Sequence, residues 1–268
     1  VNKDFNKIIE RSRNVAKGMS KGANFLMKKN KIDVLTGHGK IKKDKTVSVD
    51  GNDYKASHVI IATGSRSRTI DSIPQDGNQI IGYREAMTLK KQPKSITIVG
   101  SGAIGIEFAY FYNSIGTNVN IVEYMPNIVP LEDEDISKEL AKSFKKKGIN
   151  ILTSSEVISV KKIKNKVIAA IKKNDEETNL ESEILLSAVG IKSNIENIGL
   201  EDVGIAVDND KIIVDKYYNT NIPGYYAIGD VVSGPTLAHV ASAEGILCVE
   251  KIAGHNVSPI NYGNIPGC

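Results

Sequence analysis

The pattern of apolar and polar positions predicts helices and strands that follow one another along the chain. A helix is predicted over Phe5–Lys29, where apolar side chains recur at helical spacing despite two glycines. The continuous apolar run Ser95–Val99 is typical of a strand that is covered on both faces. A second helix is predicted to end near Ile115, because Gly116 suits the left-handed conformation that ends helices. Thr117–Val122 is the next predicted strand.

The same alternation continues as a helix, a strand and a β-meander. Acidic residues begin the helix predicted over Asp135–Lys147 and lysines end it, which matches the helix dipole. Ile149–Leu152 follows as a third strand. The meander strands are predicted at Val157–Val160, Lys166–Ile171 and Ile184–Val189. Strand–helix alternation followed by a meander predicts an α/β fold with a mainly parallel sheet.

Shorter signals lie outside this region. Three are strand or hairpin signals, one is a strand that ends in a carboxylate, and one is a final helix. They are Val34–Leu35, a hairpin over Thr46–Ala56, the buried run His58–Ala62, Tyr225–Asp230 and Ala238–Ala253.

Composition narrows the class of protein. The 268 residues are 41% apolar and 25% charged, as in ordinary globular proteins. The net charge of +4 is spread along the chain, and aromatic residues make up only 6%, which argues against a nucleic-acid-binding face. No apolar run is long enough to span a membrane, and no secretory signal is present. We therefore expect a cytoplasmic protein that binds neither nucleic acid nor membranes.

The cysteines and chain ends add two expectations. Cys248 and Cys268, the only cysteines, are too few and too far apart for a zinc site or a disulfide framework. Cys248 lies among apolar residues and is expected to be a buried thiol. Because the chain starts at Val1 rather than Met and ends abruptly at Pro266-Gly267-Cys268, we expect it to be the central part of a longer protein.

A glycine-rich turn, Gly100-Ser-Gly102-Ala-Ile-Gly105, joins the strand at Ser95–Val99 to the helix that follows. The first glycine allows a tight turn, the second lets the backbone approach a pyrophosphate, and the third lets helix and strand pack closely. The pyrophosphate would lie at the helix N-terminus, where N–H groups and the dipole favour an anion. Glu123, at the end of the next strand, can accept hydrogen bonds from ribose hydroxyls and would repel a 2′-phosphate. The unit Ser95–Glu123 therefore predicts a site for NAD rather than NADP.

Three further fragments suggest a second nucleotide. Thr63-Gly64-Ser65 closes a buried strand with a turn of small residues. Asp230 ends a strand at its carboxyl edge, where α/β folds bind ligands. Thr236–His239 opens the last helix and offers N–H groups to an electron-poor ring or a phosphate. Each fragment alone is more often an ordinary turn that binds no ligand. Their order along the chain, on both sides of one dinucleotide unit, favours a second nucleotide site.

Together these residues resemble the flavoprotein disulfide reductases that bind both FAD and NAD. The resemblance implies that Gly39 lies near the FAD adenine and that Thr63, Gly64 and Ser65 contact FAD. It implies that Asp230 holds the flavin ribityl chain. Below the isoalloxazine ring it places Thr236, Leu237, Ala238 and His239, whose Leu-Ala-His sequence is similar to the branch acting on lipoamide.

On the NAD side, the resemblance places Glu107 beside the nicotinamide, Val157 on the adenine side and Gly190 on the return strand. The loop residues that it implies are Gly100, Gly102, Ala103, Ile104 and Gly105. The implied architecture is a Rossmann-like FAD/NAD(P)-binding fold, in which a three-layer ββα-type NAD domain is inserted into a partial FAD domain. Its expected boundaries are 1–88 (FAD domain), 89–213 (NAD domain), 214–258 (return to the FAD domain) and 259–268 (dimerisation domain).

The chain also departs from the family pattern. A first glycine fingerprint, a Cys-x4-Cys redox pair and a C-terminal His…Glu pair are all missing from these 268 residues. Ser193 ends the run Gly190-Ile-Lys-Ser, where the family usually has Gly-Arg-Arg/Lys-Pro. We therefore assign no catalytic residue to this chain, and its four histidines have no metal-ligand spacing. We expect it to bind NAD, but neither to retain FAD nor to turn over lipoamide.

For the longer protein, the resemblance implies that dihydrolipoamide reduces a disulfide, that the resulting thiolate reduces FAD and that the reduced flavin passes hydride to NAD. It further implies a role in cell redox homeostasis. It also implies a homodimer that serves the lipoyl domain of 2-oxo acid dehydrogenase complexes. Two alternatives stay open on sequence grounds. One is another flavoprotein disulfide reductase or an NADH peroxidase relative, and the other is a non-catalytic NAD-binding module.

Overall fold

A computed structural model describes residues 3–266 of the chain. The helices are α1 (Phe5–Lys29), α2 (Tyr83–Ala86), α3 (Ala103–Ser114), α4 (Glu134–Lys146), α5 (Leu200–Val203) and α6 (Ala238–Ile252). Short 3₁₀ turns lie at Gly229–Val231 and Tyr262–Asn264. The strands are β1 (Gly39–Lys42), β2 (Thr46–Val49), β3 (Asn52–Lys55), β4 (Val59–Ile61), β5 (Ser65–Ser67), β6 (Ile80–Ile81), β7 (Ser95–Val99), β8 (Asn118–Val122), β9 (Asn150–Leu152), β10 (Glu156–Ile163), β11 (Lys166–Lys173), β12 (Glu176–Ser182), β13 (Ile184–Ser187), β14 (Ile191–Ser193), β15 (Val207–Asp208), β16 (Lys211–Ile212) and β17 (Tyr225–Ala227).

The described chain forms two compact units, each built from two separate stretches. Unit 1 contains residues 3–30 and 67–190, and unit 2 contains residues 31–66 and 191–266. Each unit has its own buried apolar clusters.

Unit 1 is organised around a parallel sheet with the strand order β6-β13-β7-β8-β9. At the centre of the sheet, Ile98 is paired with Leu186 on one side and with Ile121 on the other. These strands are almost continuously apolar because both faces of the sheet are covered. The strands predicted around the glycine turn are thereby confirmed to within one residue at each end.

The two faces of this sheet pack against different layers. Ile96 and Ile98 belong to the apolar cluster that contains Phe144 of α4. Val99 points the other way, into a cluster with Val167 of the antiparallel sheet β10-β11-β12. Successive residues of a strand face opposite sides, which accounts for the division. Unit 1 is thus a three-layer ββα structure, as the resemblance implied.

The predicted meander is partly wrong. Its third strand is β12, Glu176–Ser182, and the run Ile184–Ser187 pairs in parallel with β7 instead. The sequence of β12 is polar because most of its side chains are exposed, so it lacks the apolar alternation that marked the other strands. The turn before it uses Asn174 and Asp175, both with positive φ, as two-residue hairpin turns require.

The long N-terminal helix is confirmed as α1. Asp4 caps it by accepting a hydrogen bond from the Lys7 N–H at 3.1 Å. Phe5 is buried in the helix-side cluster of unit 1, whereas Met19 and Phe25 are 73% and 65% exposed. Among residues 3–266, no helix combines the length and the apolar character needed to cross a lipid bilayer.

Unit 2 contains the predicted hairpin, with β2 and β3 joined at Asp50-Gly51, both of which have positive φ. The strand predicted at Val34–Leu35 is wrong, since the chain there is irregular and exposed and the first strand is β1. The predicted strands at His58–Ala62 and Tyr225–Asp230 correspond to β4 and β17, which pair in parallel. Their buried side chains pack with Val231. The pairing ends where Thr63 and Gly229 follow the two strands, so both turns lie at one sheet edge.

We predict that Gly105→Ala destabilises unit 1. A Cβ at Gly105 would lie 2.0 Å from the Gly100 carbonyl oxygen, a backbone atom that cannot move aside as a side chain can. The free energy of unfolding should fall by about 2–3 kcal/mol in urea titrations followed by circular dichroism. Gly102→Ala is the matched control, because a Cβ there meets no heavy atom within 4 Å, and its loss should stay below about 1 kcal/mol. Equal losses for the two variants would contradict the steric argument.

We also predict that the Cys248 thiol is unreactive in the folded chain. The side chain is fully buried, and burial raises its pKa to about 11, so it stays protonated at mildly alkaline pH. Cys268 lies outside the described residues, so the measurement uses Cys268→Ser. Ellman's reagent should label no thiol in native buffer and one in denaturant. Rapid labelling of the native variant would show that the thiol is accessible.

Candidate dinucleotide-binding sites

The glycine turn of unit 1 connects β7 to α3 through two close backbone contacts. Gly100 has a φ of +98°, and a Cβ there would lie 2.4 Å from the carbonyl oxygen of Ala188, which directly follows β13. Gly105 lies against the Gly100 carbonyl, as described above. Both positions therefore exclude a side chain, one by conformation and space and the other by space alone.

Gly102 differs from these two glycines because it faces open space. It is the N-cap of α3, with extended backbone angles, and it is exposed. The N–H groups of the first helical turn, which begins at Ala103 and Ile104, have no acceptor within the helix. The N-terminus of α3 can therefore receive an anionic group whose atoms approach the backbone closely.

Glu123 follows β8 and is held inside the site by its neighbours. It is only 7% exposed. Its Oε2 accepts hydrogen bonds from the Ser101 N–H at 2.8 Å and the Ser101 hydroxyl at 2.6 Å. Its Oε1 accepts one from the Met125 N–H at 2.8 Å. A buried carboxylate needs such donors, since an uncompensated charge in this position would be costly.

A cavity of about 590 Å³ joins these features, and its size is within the range of small-molecule sites. Of the predicted NAD residues, it is lined by Gly100, Gly102, Glu123, Val157 and Gly190. The lining that was not predicted is largely apolar and includes Ile70, Ile73, Met125, Pro130 and Leu131.

The other predicted NAD residues lie outside that lining. Ala103 and Ile104 form the first turn of α3, and Gly105 is buried behind the turn. Glu107 is an exposed residue further along α3. The acid run at the start of α4 is a helix cap, as predicted, because the Asp133 carboxylate accepts the Asp135 N–H at 2.9 Å.

In unit 2, the structure brings two predicted FAD residues into direct contact. The Ser65 hydroxyl donates a hydrogen bond to Oδ2 of Asp230 at 2.6 Å. The carbonyl oxygen of Asp230 accepts from Lys211 Nζ at 2.6 Å and from the Ser193 hydroxyl at 2.8 Å. Ser193 thus supplies a hydroxyl where the family usually has proline. The carboxylate keeps acceptor positions for a ligand while its backbone is fixed from the other side.

A depression of about 400 Å³ brings Gly39 and Thr63 together. Asn194 fixes the Thr63-Gly64 turn, since its carbonyl accepts from the Thr63 hydroxyl at 2.6 Å and its N–H donates to the Gly64 carbonyl at 2.9 Å. Arg66, also in the lining, pairs with Glu196 at 2.7 Å. The Arg66 guanidinium, aided by a lysine ammonium, holds the pKa of the Glu196 carboxyl well below its usual range. The depression therefore has a polar rim that is already paired.

A buried carboxylate supports the turn that carries Asp230. Glu244 of α6 is 2% exposed and accepts the Gly229 N–H at 2.6 Å. Its other oxygen accepts the Tyr262 hydroxyl at 2.7 Å. Burial, a hydrogen bond with the Tyr218 hydroxyl and the bond to Glu244 raise the pKa of the Tyr262 phenol above its ordinary value.

The segment Thr236–His239 is exposed at the start of α6, with Leu237 as the N-cap residue. None of its four residues lines the depression that holds Gly39 and Thr63.

Sequence reasoning missed Ser101, Asn194 and Glu244. Ser101 occupies a position at which the glycine fingerprint allows any residue. The only available signal was that a buried acid such as Glu123 needs hydrogen-bond donors nearby. Asn194 acts on a turn that is 131 residues away along the chain, and no local pattern reveals that contact. Glu244 is an acidic residue in a stretch of α6 whose other residues are mostly small or apolar. This contrast was the one local signal that the carboxylate is buried and has a specific role.

Comparison with known proteins agrees with this arrangement. Residues 2–245 match the family model of the pyridine nucleotide-disulphide oxidoreductases. A dihydrolipoyl dehydrogenase from Rhizobium etli is 42% identical over 290 residues, covering 100% of this chain and 60% of that protein. That of Bacillus subtilis is 39% identical with the same coverage, and that of Acholeplasma laidlawii is 41% identical, covering 97% of this chain and 76% of that protein. The chain thus spans about 60% of the length of the first two.

Solved structures show the same fold. LpdA from Mycobacterium tuberculosis matches with a TM-score of 0.90 and 26% identity, over 97% of this chain and 59% of that one. The flavoprotein disulfide reductase RclA from Escherichia coli matches with a TM-score of 0.84 and 25% identity, over 94% and 58%. The predicted Rossmann-like α/β fold and the predicted resemblance are both confirmed, and the enzymes of this family use FAD and NAD. The chain therefore belongs to the pyridine nucleotide-disulphide oxidoreductase family.

Proposed function

We propose that unit 1 binds NAD in the cavity beside the glycine turn. The observation that carries the proposal is the presence in one cavity of the open Gly102 backbone and the Glu123 carboxylate. The helix N-terminus would hold the pyrophosphate, and Glu123 would accept a ribose hydroxyl. Val157 and the apolar lining offer a surface for the adenine, and Gly190 lines the same cavity.

The charge at Glu123 favours NAD over NADP. A carboxylate in a poorly solvated position repels a 2′-phosphate more strongly than one in water. The apolar lining around it supplies no arginine or lysine that could neutralise such a phosphate. The site residues of unit 1 therefore fit NAD, and the predicted nicotinamide contact of Glu107 stays a prediction.

We predict that the purified chain binds NAD more tightly than NADP and that Gly102→Ala weakens this binding. A methyl group at the turn would occupy the space into which the pyrophosphate must come. Isothermal titration calorimetry should show at least a tenfold loss of affinity, about 1.4 kcal/mol. Thermal unfolding of the same variant serves as the folding control.

Three results would contradict this proposal. Absence of NAD binding by the folded wild-type chain would remove the NAD site altogether. A preference for NADP would point to a different branch of the family. Unchanged NAD affinity of Gly102→Ala would show that the pyrophosphate does not lie against this glycine.

We further propose that unit 2 supplies part of an FAD site. Asp230 would hold the ribityl chain, with Ser65 orienting its carboxylate. Gly39 and Thr63 would contact the adenine half, and Gly64 belongs to the same turn. The exposed N-terminus of α6, at Thr236–His239, would face the flavin ring with its backbone N–H groups. When bound, FAD would accept electrons from a thiol and pass hydride to NAD.

For the longer protein, we propose dihydrolipoyl dehydrogenase activity, because the relatives with this name match nearly all of the chain. The expected partners are a second copy of the chain and the lipoyl domain of 2-oxo acid dehydrogenase complexes, in the cytoplasm. This activity needs a redox-active cysteine pair. The cysteines present, Cys248 and Cys268, do not have the Cys-x4-Cys spacing, and Cys248 is buried.

We predict that this chain alone does not reduce NAD with dihydrolipoamide, even with added FAD. It has no cysteine pair through which electrons could pass from the substrate. NADH formation should stay at the background rate in a spectrophotometric assay, with a full-length dihydrolipoyl dehydrogenase as the positive control. Steady-state NADH formation that depends on this chain would overturn the assignment of its role.

A further inference from the structure

Ser101 uses every polar group it has to organise the site. It is fully buried between Gly100 and Gly102. Its N–H and its hydroxyl both donate to Oε2 of Glu123, at 2.8 and 2.6 Å. Its carbonyl oxygen accepts the Val129 N–H at 3.0 Å. Through these bonds, Ser101 connects the glycine turn to the Glu123 carboxylate and to the loop that contains Val129.

These bonds limit what Glu123 can offer to a ligand. Each carboxylate oxygen has two acceptor positions. Both positions on Oε2 are taken by Ser101, and one on Oε1 is taken by the Met125 N–H. The backbone of Glu123 is held as well, by the Leu152 carbonyl and the Ser155 N–H. One acceptor position remains, on Oε1, and the carboxylate cannot rotate without breaking bonds.

The loop held by Ser101 carries a second sign of a functional constraint. Val129 has a φ of +42°, which is a rare conformation for a β-branched residue. Such outliers persist where surrounding contacts hold them, and they concentrate at ligand sites. The bond to Ser101 and the Ser137 hydroxyl bond to the Ile128 carbonyl, at 2.5 Å, are those contacts. The loop they hold includes Leu131, which is 97% exposed and lines the cavity.

We propose that Ser101 determines the preference for NAD over NADP by acting through Glu123. The Ser101 hydroxyl fixes the orientation of the Glu123 carboxylate. In this orientation one acceptor position of Oε1 is free for a ribose hydroxyl, and the carboxylate cannot rotate its charge away from a 2′-phosphate. Without the hydroxyl, the carboxylate gains freedom to turn, which weakens the bond to NAD and reduces the repulsion of NADP. The inference rests on the proposed NAD site, and it concerns a residue that the glycine fingerprint leaves unspecified.

Ser101→Ala tests this role, because it removes the hydroxyl and leaves the N–H bond and the small volume in place. Calorimetric titrations with NAD and with NADP, at one salt concentration, give the ratio of the two affinities. We expect Ser101→Ala to weaken NAD binding about fivefold to tenfold, the size of the net contribution of one typical hydrogen bond, and to reduce the NAD/NADP ratio by at least as much. Ser182→Ala is the matched control, since this serine is also buried in unit 1 but its hydroxyl donates to the Ile184 carbonyl.

The Glu123→Ala background separates positioning from a merely structural role. If Ser101 acts through Glu123, adding Ser101→Ala to Glu123→Ala should change the NAD/NADP ratio less than twofold. Circular dichroism and thermal unfolding of each variant establish that it is folded.

Each result bears on the proposal. A folded Ser101→Ala with an unchanged NAD/NADP ratio would overturn it, and so would an equal loss of affinity for both nucleotides. Full persistence of the Ser101→Ala effect in the Glu123→Ala background would do the same. If the wild-type chain bound no NAD, the proposed function would fail and this inference with it, whereas NAD binding with an unaltered ratio would remove the inference alone.

Discussion

The structure of unit 1 depends on one close backbone contact, between the start of α3 and the end of β7. Gly105 approaches the Gly100 carbonyl so closely that no side chain fits between them. This contact lets the helix begin immediately after the strand and places the N-cap Gly102 in open space. The N-terminus of α3 begins at this turn, Ser101 of the turn bonds to Glu123 after β8, and both Ser101 and Glu123 line the cavity. The proposed anion site would therefore be a consequence of how closely helix and strand can approach.

Electrostatics inside the two candidate sites follow a common rule. Glu123 in unit 1 and Glu244 in unit 2 are both buried carboxylates, and both are stabilised by backbone N–H and hydroxyl donors. No lysine or arginine neutralises either one through an ion pair among the described residues. Dipolar donors of this kind fix the orientation of a carboxylate while leaving its negative charge in place. In contrast, the Arg66–Glu196 pair lies at a partly exposed rim, where solvent weakens its contribution.

The sequence predicted those parts of the molecule in which local pattern and function coincide. The segment Ser95–Glu123 is contiguous, strongly apolar and punctuated by glycines that the turn requires, so its strands, helix and acid were all foreseen. The polar strand β12 was missed because its stability comes from pairing with β11 rather than from apolar alternation. Val34–Leu35 was mistaken for a strand because two adjacent apolar residues say little without a pairing partner.

Long-range hydrogen bonds account for what else escaped prediction. The bonds from Asn194 to the Thr63 turn, and from Ser193 and Lys211 to Asp230, join residues far apart in the sequence. Their partners are fixed by the folded backbone, so no motif of a single segment encodes them. The FAD contacts that the resemblance implies for Asp230 and Thr63 stay predictions, and the structure adds the hydrogen bonds that hold these two residues in place.

The chain enters the main part of unit 1 after Arg66 and leaves it after Gly190. The Arg68 N–H donates to the Gly190 carbonyl at 3.0 Å, so this entry and exit lie side by side. A segment of more than 120 residues whose ends already meet imposes almost no additional loop-closure entropy on a chain that contains it. A nucleotide-binding module of this shape can be inserted into another domain, or removed from it, without drawing the flanking strands apart. The points at which the chain enters and leaves the module therefore already satisfy the constraint that a host domain would place on them.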